Sequence, residues 1–252
     1  MIRGFVGAVL ASVVITSAAG VGAQRPAVPP AGATASQQTS TSRQTTPPAV
    51  ERLGPSLYRI GRMQVDTAKR ELSVIGRIND VGTLEFVACV RGGMKAYESA
   101  ITLETDAISF NAALLLIGLD QTRGRAPARH FDPAPPAGDP VEITFVSNLP
   151  GTTPSGREPV EQLLFNQRTQ QTIPPGAWVY TGSTLIEGGK YLAEMDGVLI
   201  GFVHSPAPVI ERVGGLGMGD YGSVILNPSF RSKRASLFTL FVRALPRTPD
   251  SR

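Results

Sequence analysis

One short segment of the sequence gathers four side chains that can do chemistry: Lys95, Tyr97, Glu98 and Ser99. They supply a cation, a phenol, a carboxylate and a hydroxyl at the point where a glycine-containing turn leads into a predicted strand. Polar groups concentrated beside a buried element need hydrogen-bond partners, which come either from the protein or from a ligand. The polar groups of this segment therefore either form hydrogen bonds with neighbouring protein groups or belong to a ligand-binding subsite.

Trp178, Ser183 and His204 are further candidates for the same ligand-binding surface. A serine nucleophile needs a histidine base in contact with it and an acid that orients the histidine. Nothing in the spacing selects such partners, so we assign no catalytic residue and favour a non-enzymatic binding or envelope-associated domain. The alternative is a hydrolase that uses Glu98 as acid or base with Ser99, Ser183 or His204 assisting.

The sequence also limits metal and cofactor chemistry. Cys89 is the only cysteine, which excludes an intramolecular disulfide and a cysteine-ligated zinc or iron–sulfur centre. The two histidines, His130 and His204, are far apart in the chain. Residues 217–222 have the spelling of a dinucleotide fingerprint, but a strand or loop follows them where the fingerprint requires a helix. We predict no metal site and no cofactor.

The net charge of +4 is unevenly distributed along the chain. Arg3, Arg25 and Arg43 precede Glu51, the first acidic residue, which leaves 21 basic and 20 acidic residues in the remainder. Capture of a nucleic acid requires a clustered positive surface, because the affinity comes from the release of many counterions. We therefore expect no nucleic-acid partner. The partner is otherwise open, and a cell-envelope component or a peptide or glycan ligand fits best.

Residues 1–23 are typical of a cleavable signal peptide. A positive start at Arg3 is followed by an apolar run and by the small residues Val21-Gly22-Ala23, which predict cleavage after Ala23. The alternative is a retained membrane anchor, since residues 4–23 are about as long as a minimal spanning helix. No cysteine follows the apolar run directly, so a lipid anchor is excluded. We expect an exported protein, periplasmic or secreted.

Three further segments complete the predicted organisation. Residues 24–49 consist mainly of Pro, Ala, Ser, Thr and Gln, a composition that predicts a disordered linker. Residues 50–247 form one folded domain, and residues 248–252 are a short tail.

The folded domain is rich in strand signals. These lie at residues 63–66 and 71–75 (a hairpin), 84–90 (buried on both faces), 98–104, 141–146, 178–183, 191–195, 198–204 and 237–242. One helix is predicted, capped by Thr105, with Ile108, Ala112, Leu115 and Leu116 on its apolar face and Gly118 at its end. A weaker helix covers 160–165. We expect a single α+β, mainly β domain in which antiparallel sheet packs on one buried central helix.

In these segments the sequence resembles the YdjY-like domain, a family of exported bacterial proteins. The matching residues, in chain order, are Leu84-Glu85, Lys95-x-Tyr97-Glu98-Ser99, residues 113–119, residues 178–183, Asp196-Gly197 and Pro206-Ala-Pro208. The resemblance spans about residues 53–211. The resemblance implies an exported domain, but it implies no particular biochemical role. Members of the family often carry histidine where this chain has Tyr97, and this departure argues against a metal or general-base role there.

Overall fold

A computed structural model of the chain describes residues 48–147, 156–233 and 236–247. The predicted signal peptide, nearly all of the predicted linker and the predicted tail lie outside these residues, so their boundaries stay predictions. The described part contains two α-helices, α1 (Ala107–Leu116) and α2 (Leu192–Asp196). None of its helices is long and apolar enough to cross a membrane.

Strands account for most of the regular structure. The first six are β1 (Val50–Arg52), β2 (Leu57–Ile60), β3 (Met63–Asp66), β4 (Glu71–Ile78), β5 (Phe86–Val90) and β6 (Ser99–Leu103). They are followed by β7 (Asp139–Ser147), β8 (Glu158–Pro159), β9 (Leu164–Asn166), β10 (Gln171–Thr172) and β11 (Trp178–Tyr180). The remaining strands are β12 (Leu185–Ile186), β13 (Lys190–Tyr191), β14 (Val198–Gly201), β15 (Ile210–Arg212), β16 (Val224–Leu226) and β17 (Leu237–Ala244).

Eight of these strands form a closed barrel in the order β4, β17, β7, β11, β15, β14, β5 and β6. The barrel closes where β6 pairs with β4, with Leu103 opposite Gly76 and Ile101 opposite Ile78. The pairs β5–β6 and β14–β15 are parallel, and the other pairs around the barrel are antiparallel. Strands β1 to β3 extend from β4 as an antiparallel ribbon.

The expectation of antiparallel sheet packed on one buried central helix is wrong, although the mainly β content is correct. Because the sheet closes on itself, its inward side chains pack against one another and need no helix to cover them. Val74, Ile101 and Leu240, each from a different barrel strand, are almost completely buried. Helix α1 packs instead against β3, β14 and α2.

Several predicted strands are confirmed. Strand β7 buries Val141, Ile143 and Phe145 while the residues between them are half-exposed, as the alternating pattern indicates. The hairpin of β3 and β4 forms as expected, and the segment predicted to be buried on both faces contains β5, of which all but Val90 is buried. The predicted middle strand of the segment 178–204 is wrong, because residues 192–196 form α2 and Gly197 ends it with a left-handed φ of 70°.

The predicted central helix exists, but its cap and its buried face differ from the prediction. The Asp106 carboxylate accepts a hydrogen bond from the Ser109 N–H at 2.7 Å, so Asp106 and not Thr105 is the N-cap. The helix buries Phe110 and Leu114, whereas 43% of Leu115 is exposed. Apolar residues lie on every side of this helix, so periodicity could not select the buried face. The weaker candidate at 160–165 is a short 3₁₀ helix, Val160–Leu163, leading into β9.

The cap gives a first testable expectation. Asp106→Ala should lower the free energy of unfolding by about 1 kcal/mol, because it removes an N-cap acceptor and leaves the Ser109 N–H without it. Thr105→Ala is the matched control, since the Thr105 hydroxyl donates to the Asp106 carbonyl oxygen and caps no helical N–H. Urea unfolding of both variants measures the difference. An equal loss in the two would contradict the assignment of Asp106 as the cap.

Candidate functional site

Two nearly buried carboxylates lie side by side where the parallel strands β5 and β6 begin. Glu85 is 7% exposed and Glu98 is 4% exposed, and the Glu85 N–H donates to the Glu98 carbonyl oxygen. Lys95 Nζ contacts Glu98 Oε1 at 2.7 Å and the Tyr97 hydroxyl at 3.4 Å. His130 Nε2 lies 3.5 Å from Glu85 Oε2. We call these five residues the Glu85–Glu98 cluster.

The electrostatics of the cluster follow from its burial and its excess of carboxylates. Burial raises the pKa of Glu85, and the neighbouring charge of Glu98 raises it further, while His130 and Lys95 oppose the shift. Burial opposes the charged form of Lys95, but the hydrogen bond to Glu98 and the charge of Glu98 leave its pKa raised. Lys95 therefore contacts Glu98 directly and acts on Glu85 only through its charge.

Hydrogen bonds to the backbone hold the cluster in place. The Ser99 hydroxyl donates to the Lys95 carbonyl oxygen at 2.8 Å, and Ser99 is fully buried. Asn79 donates from Nδ2 to the carbonyl oxygens of Ser99 and Ala96 and accepts from the Thr102 hydroxyl. Ser99 thus fixes the turn that carries Lys95, and its hydroxyl is occupied in doing so.

One side of the cluster is open to solvent. Tyr97 is 62% exposed, and the neighbouring Met94 is 67% exposed. The His130 side chain is 43% exposed and contacts the Phe131 ring at a tilt of 47°, with ring centroids 3.9 Å apart. Tyr97 and His130 are therefore the members of the cluster that face solvent, while the two carboxylates lie beneath them.

Trp178 lies at a different place, in what we call the Trp178 cleft. This cleft of about 290 Å³ is lined by residues of β7, β8 and β11 and of the segments beside them. Trp178 is 3% exposed, and its indole N–H donates to Glu161 Oε1 at 2.8 Å. The same carboxylate oxygen accepts the Gly176 N–H at 2.8 Å. Glu161 is 3% exposed and places a buried carboxylate at the cleft.

Ser183 is separate from both sites. Its φ is +60°, and its hydroxyl donates to the carbonyl oxygens of Ala207 and Pro206 at 2.5 and 3.5 Å. These contacts tie the turn after β11 to the segment before β15. The hydroxyl is therefore engaged by backbone and makes no hydrogen bond to a histidine in the described part of the chain.

His204 is almost completely buried and connects three backbone segments. Its Nδ1 lies 2.8 Å from the Asp132 carbonyl oxygen, and its Nε2 lies 3.1 Å from that of Arg212 and 3.2 Å from that of Val213. Among the described residues, none of Glu98, Ser183 and His204 hydrogen-bonds to another. The structure therefore brings Lys95, Tyr97, Glu98 and Ser99 together. Trp178, Ser183 and His204 form no hydrogen bond or ion pair with these four in the described part of the chain, although His204 is hydrogen-bonded to the loop that carries His130.

Sequence reasoning did not select Glu85, His130 or Glu161. Glu85 directly precedes the buried strand β5, and a carboxylate at such a position is an available signal for a strand-end site. His130 lies in a long loop, and only the fold places it next to Glu85. Glu161 lies in the short 3₁₀ helix and had no distinguishing pattern.

The described residues contain no group of three or more His, Cys, Asp or Glu side chains that could hold a metal ion. No protein-family profile, curated protein or solved structure matches the chain. The resemblance to the YdjY-like domain therefore stays a prediction, and the proposals below depend on the chain's own geometry.

Proposed function

We propose that the chain is an exported, non-enzymatic binding domain whose ligand presents a cationic amine to the Glu85–Glu98 cluster. The observation that carries the proposal is the pair of neighbouring carboxylates, both more than nine-tenths buried, of which Glu98 contacts Lys95 and Glu85 does not. A buried carboxylate is stable as an anion only when a cation or several donors compensate it. For Glu85 the nearest cationic candidate is His130 at 3.5 Å, a longer contact than the one Lys95 makes with Glu98.

The exposed aromatic rings favour the same ligand class. An ammonium group is attracted to aromatic faces as well as to carboxylates. Lys95 Nζ already lies 5.6 Å from the centre of the Tyr97 ring and 6.0 Å from that of Phe86. A ligand amine entering beside Tyr97 and His130 would find the same kinds of partner. The lysine side chain of a peptide and the amino group of a glycan both carry this chemistry.

Export is part of the proposal and is supported by the sequence alone. The apolar leader with its small-residue end and the following linker would present residues 50–247 in the periplasm or outside the cell. A peptide or glycan of the cell envelope is then the amine-bearing partner within reach.

The proposal is tested by thermal unfolding with two amine probes, Nα-acetyl-lysine and glucosamine tetramer. Nα,Nε-diacetyl-lysine and N-acetylglucosamine tetramer are their uncharged matches. A ligand that binds the folded state alone raises the midpoint of unfolding. We expect at least one amine probe to raise it and neither acetylated probe to do so, and the probe that acts tells a peptide ligand from a glycan ligand.

Two variants and a control locate the binding. Glu85→Gln and Glu98→Gln should each weaken the effective amine at least tenfold, because each removes a charge from a poorly solvated pair. Glu187→Gln, at an exposed position of the β12–β13 hairpin, should leave binding unchanged. Absence of any shift with both amines, or equal binding by Glu85→Gln, would refute the proposal.

A second candidate function is acid–base catalysis at the same pair. The raised pKa of Glu85, beside a Glu98 carboxylate bonded to Lys95, is an arrangement in which one carboxyl donates a proton and the other accepts one. If this candidate is correct, mass spectrometry will detect cleavage of the glucosamine tetramer on incubation, and Glu98→Gln will abolish it. Intact tetramer after long incubation would exclude that reaction.

A further inference from the structure

Three arginines converge on one carboxylate at the outer wall of the barrel. Arg62 Nη1 and Arg91 Nη1 lie 3.5 and 3.6 Å from Glu104 Oε2. Arg77 Nε lies 3.8 Å from Glu104 Oε1. The arginine side chains are between 52% and 77% exposed, whereas the Glu104 side chain is 10% exposed. We call these four residues the Arg62–Glu104 cluster.

The register of the strands places these four residues together. Strands β5 and β6 end as partners in a parallel pair, so Arg91 and Glu104, which follow them directly, leave the sheet side by side. The Glu104 N–H donates to the carbonyl oxygen of Ile75 on β4, and the exposed side chain of Ile75 marks the outer face. Arg77 is two residues further along β4 and shares that face. The β2–β3 turn carries Arg62 to the same place, because β3 pairs with β4.

The cluster has more donors and more positive charge than its own carboxylate uses. Each guanidinium group carries five N–H donors. Within the described part of the chain, the three arginine side chains form no ion pair or hydrogen bond except those with Glu104. Close contacts between a guanidinium group and a carboxylate are about 2.7–2.9 Å long, and all three contacts here are longer. Three positive charges and one negative charge leave an excess of two positive charges.

A cleft of about 460 Å³ borders the cluster. Arg62, Arg91 and Glu104 line it, together with residues at the start of α1. The first turn of α1 already has its anions, because Asp106 and Glu194 accept hydrogen bonds from two of its N–H groups. The donors left for a ligand in the cleft are therefore those of the arginines.

The excess charge and the central carboxylate together favour one small anion, hydrogen phosphate. Guanidinium groups recognise phosphate oxygens through paired N–H donors. A phosphate group carries up to two negative charges near neutral pH, which matches the excess of two positive charges. Inorganic phosphate also keeps a proton on one oxygen, and this P–OH group can donate to Glu104. Sulfate has the same charge but no proton, so one of its oxygens would face the Glu104 carboxylate without a hydrogen bond.

We propose that the Arg62–Glu104 cluster binds inorganic phosphate, with the three guanidinium groups donating to its oxygens and Glu104 accepting a hydrogen bond from its P–OH group. The arginines supply the affinity, and Glu104 supplies the selectivity for phosphate over sulfate. The cluster lies where β5 and β6 end, whereas the Glu85–Glu98 cluster lies where they begin. The two sites are separate, and this proposal does not depend on the function proposed for the Glu85–Glu98 cluster.

The probe for this proposal is sodium phosphate, titrated at about pH 7.5 and constant ionic strength into ¹⁵N-labelled protein and followed by two-dimensional NMR. We expect the backbone amide resonances of Arg62, Arg91 and Glu104 to shift together and to saturate. Sodium sulfate should bind at least fivefold more weakly. Methyl phosphate, which is mostly a dianion without a proton at this pH, should also bind more weakly. Tighter binding of methyl phosphate would indicate a phosphate ester, such as a lipid headgroup, and would contradict the assignment to free phosphate.

Matched variants separate this site from a general effect of surface charge. Arg62→Gln and Arg91→Gln should each weaken phosphate binding at least fivefold, because each removes a charge and its donors. Arg168→Gln is the control, since Arg168 is similarly exposed and pairs with Asp220 instead. It should leave phosphate binding unchanged. The spectra of the variants report in the same experiment whether each is folded.

Glu104→Gln tests the origin of the selectivity. The amide of glutamine can donate to sulfate, so the preference for phosphate over sulfate should disappear in this variant. Equal binding of phosphate and sulfate by the original chain would overturn the proposal. Unshifted resonances at Arg62 and Arg91, or unchanged phosphate binding by Arg62→Gln, would overturn it as well.

Discussion

Glu211→Gln is expected to flatten the dependence of stability on pH between about pH 5 and pH 8. Glu211 lies on β15 with no exposed surface, and its Oε1 accepts the Ser205 N–H at 3.0 Å. Its Oε2 is buried with no hydrogen-bond partner among the described residues. Burial raises the pKa of Glu211 to about 8, against the weaker opposing effect of the bond from Ser205. The folded protein therefore holds this carboxyl in its neutral form at neutral pH.

The direction of the effect follows from proton linkage. The unfolded chain ionises Glu211 near its ordinary value of 4.5, while the folded state keeps the proton until about pH 8. The stabilisation is fully present below the lower value and is lost as the pH rises toward the upper one. This difference between the folded-state and unfolded-state pKa of Glu211 corresponds to a change in the free energy of unfolding of about 4 to 5 kcal/mol at most. Glutamine is neutral throughout, so the variant should lose most of this slope.

Urea unfolding at pH 5, 6.5, 8 and 9 measures this expectation. At pH 5 the variant should unfold within about 1 kcal/mol of the original chain, because it replaces a neutral acid with a neutral amide of similar shape. At pH 8 and above it should be the more stable of the two. A weaker slope of the same sign should remain, since the pKa of Glu85 is also raised. Glu187→Gln is the exposed control. If the free energy of unfolding of Glu211→Gln depends on pH as steeply as that of the original chain, Glu211 is not the group responsible for the slope.

Gly76→Ala is expected to destabilise the barrel by up to about 3 kcal/mol through overpacking. Gly76 faces the barrel interior between Val74 and Ile78, where a Cβ would lie 2.8 Å from Leu103 Cδ2 and closer still to the Phe238 ring. The glycine makes room for that ring at the place where β4 meets both β17 and the closing strand β6. Added bulk here forces the two neighbouring strands apart.

A double-mutant cycle with Phe238→Leu tests the cause. If the ring is the obstacle, the double variant should be more stable than the sum of the two single losses predicts. Gly82→Ala is the matched control, because a Cβ at Gly82 would meet nothing within 4 Å. Additive losses in the cycle, or an equal cost for Gly82→Ala, would show that Gly76 is needed for some reason other than the Phe238 ring.

The local elements were largely predictable from the sequence, and their closure was not. Alternation located β7, and the short turn located the β3–β4 hairpin, because both signals lie within a few residues. The pair β4–β6 that closes the barrel joins Gly76 to Leu103 across the whole of β5 and its loops. No local pattern states which two edges of a sheet will meet. Because α1 is apolar on all sides, the sequence favoured a helix at the centre of the fold. A closed barrel does not require one.

The candidate site also contains a part that was predictable from the sequence and a part that was not. Lys95, Tyr97 and Glu98 are close in sequence, so their clustering could be predicted. The partner carboxylate Glu85 and the ring of His130 reach the cluster only because β5 lies parallel to β6 and a distant loop folds over their ends. Trp178 is a candidate by residue type alone, while its hydrogen bond to the buried carboxylate of Glu161 is visible only in the structure.

The position of β17 determines the order in which the barrel can assemble. This strand, near the end of the chain, lies between β4 and β7, and both pair with it along most of their length. Until residues 237–244 have been synthesised, the edges of β4 and β7 that pair with β17 are unpaired. Such open edges can pair with other chains. The pairing of distant segments within the chain is slow, because the entropy cost of closing the loop comes before the stabilising contacts form. The barrel is therefore expected to fold only once residues 237–244 have been synthesised, and a chain cut before β17 is expected to aggregate.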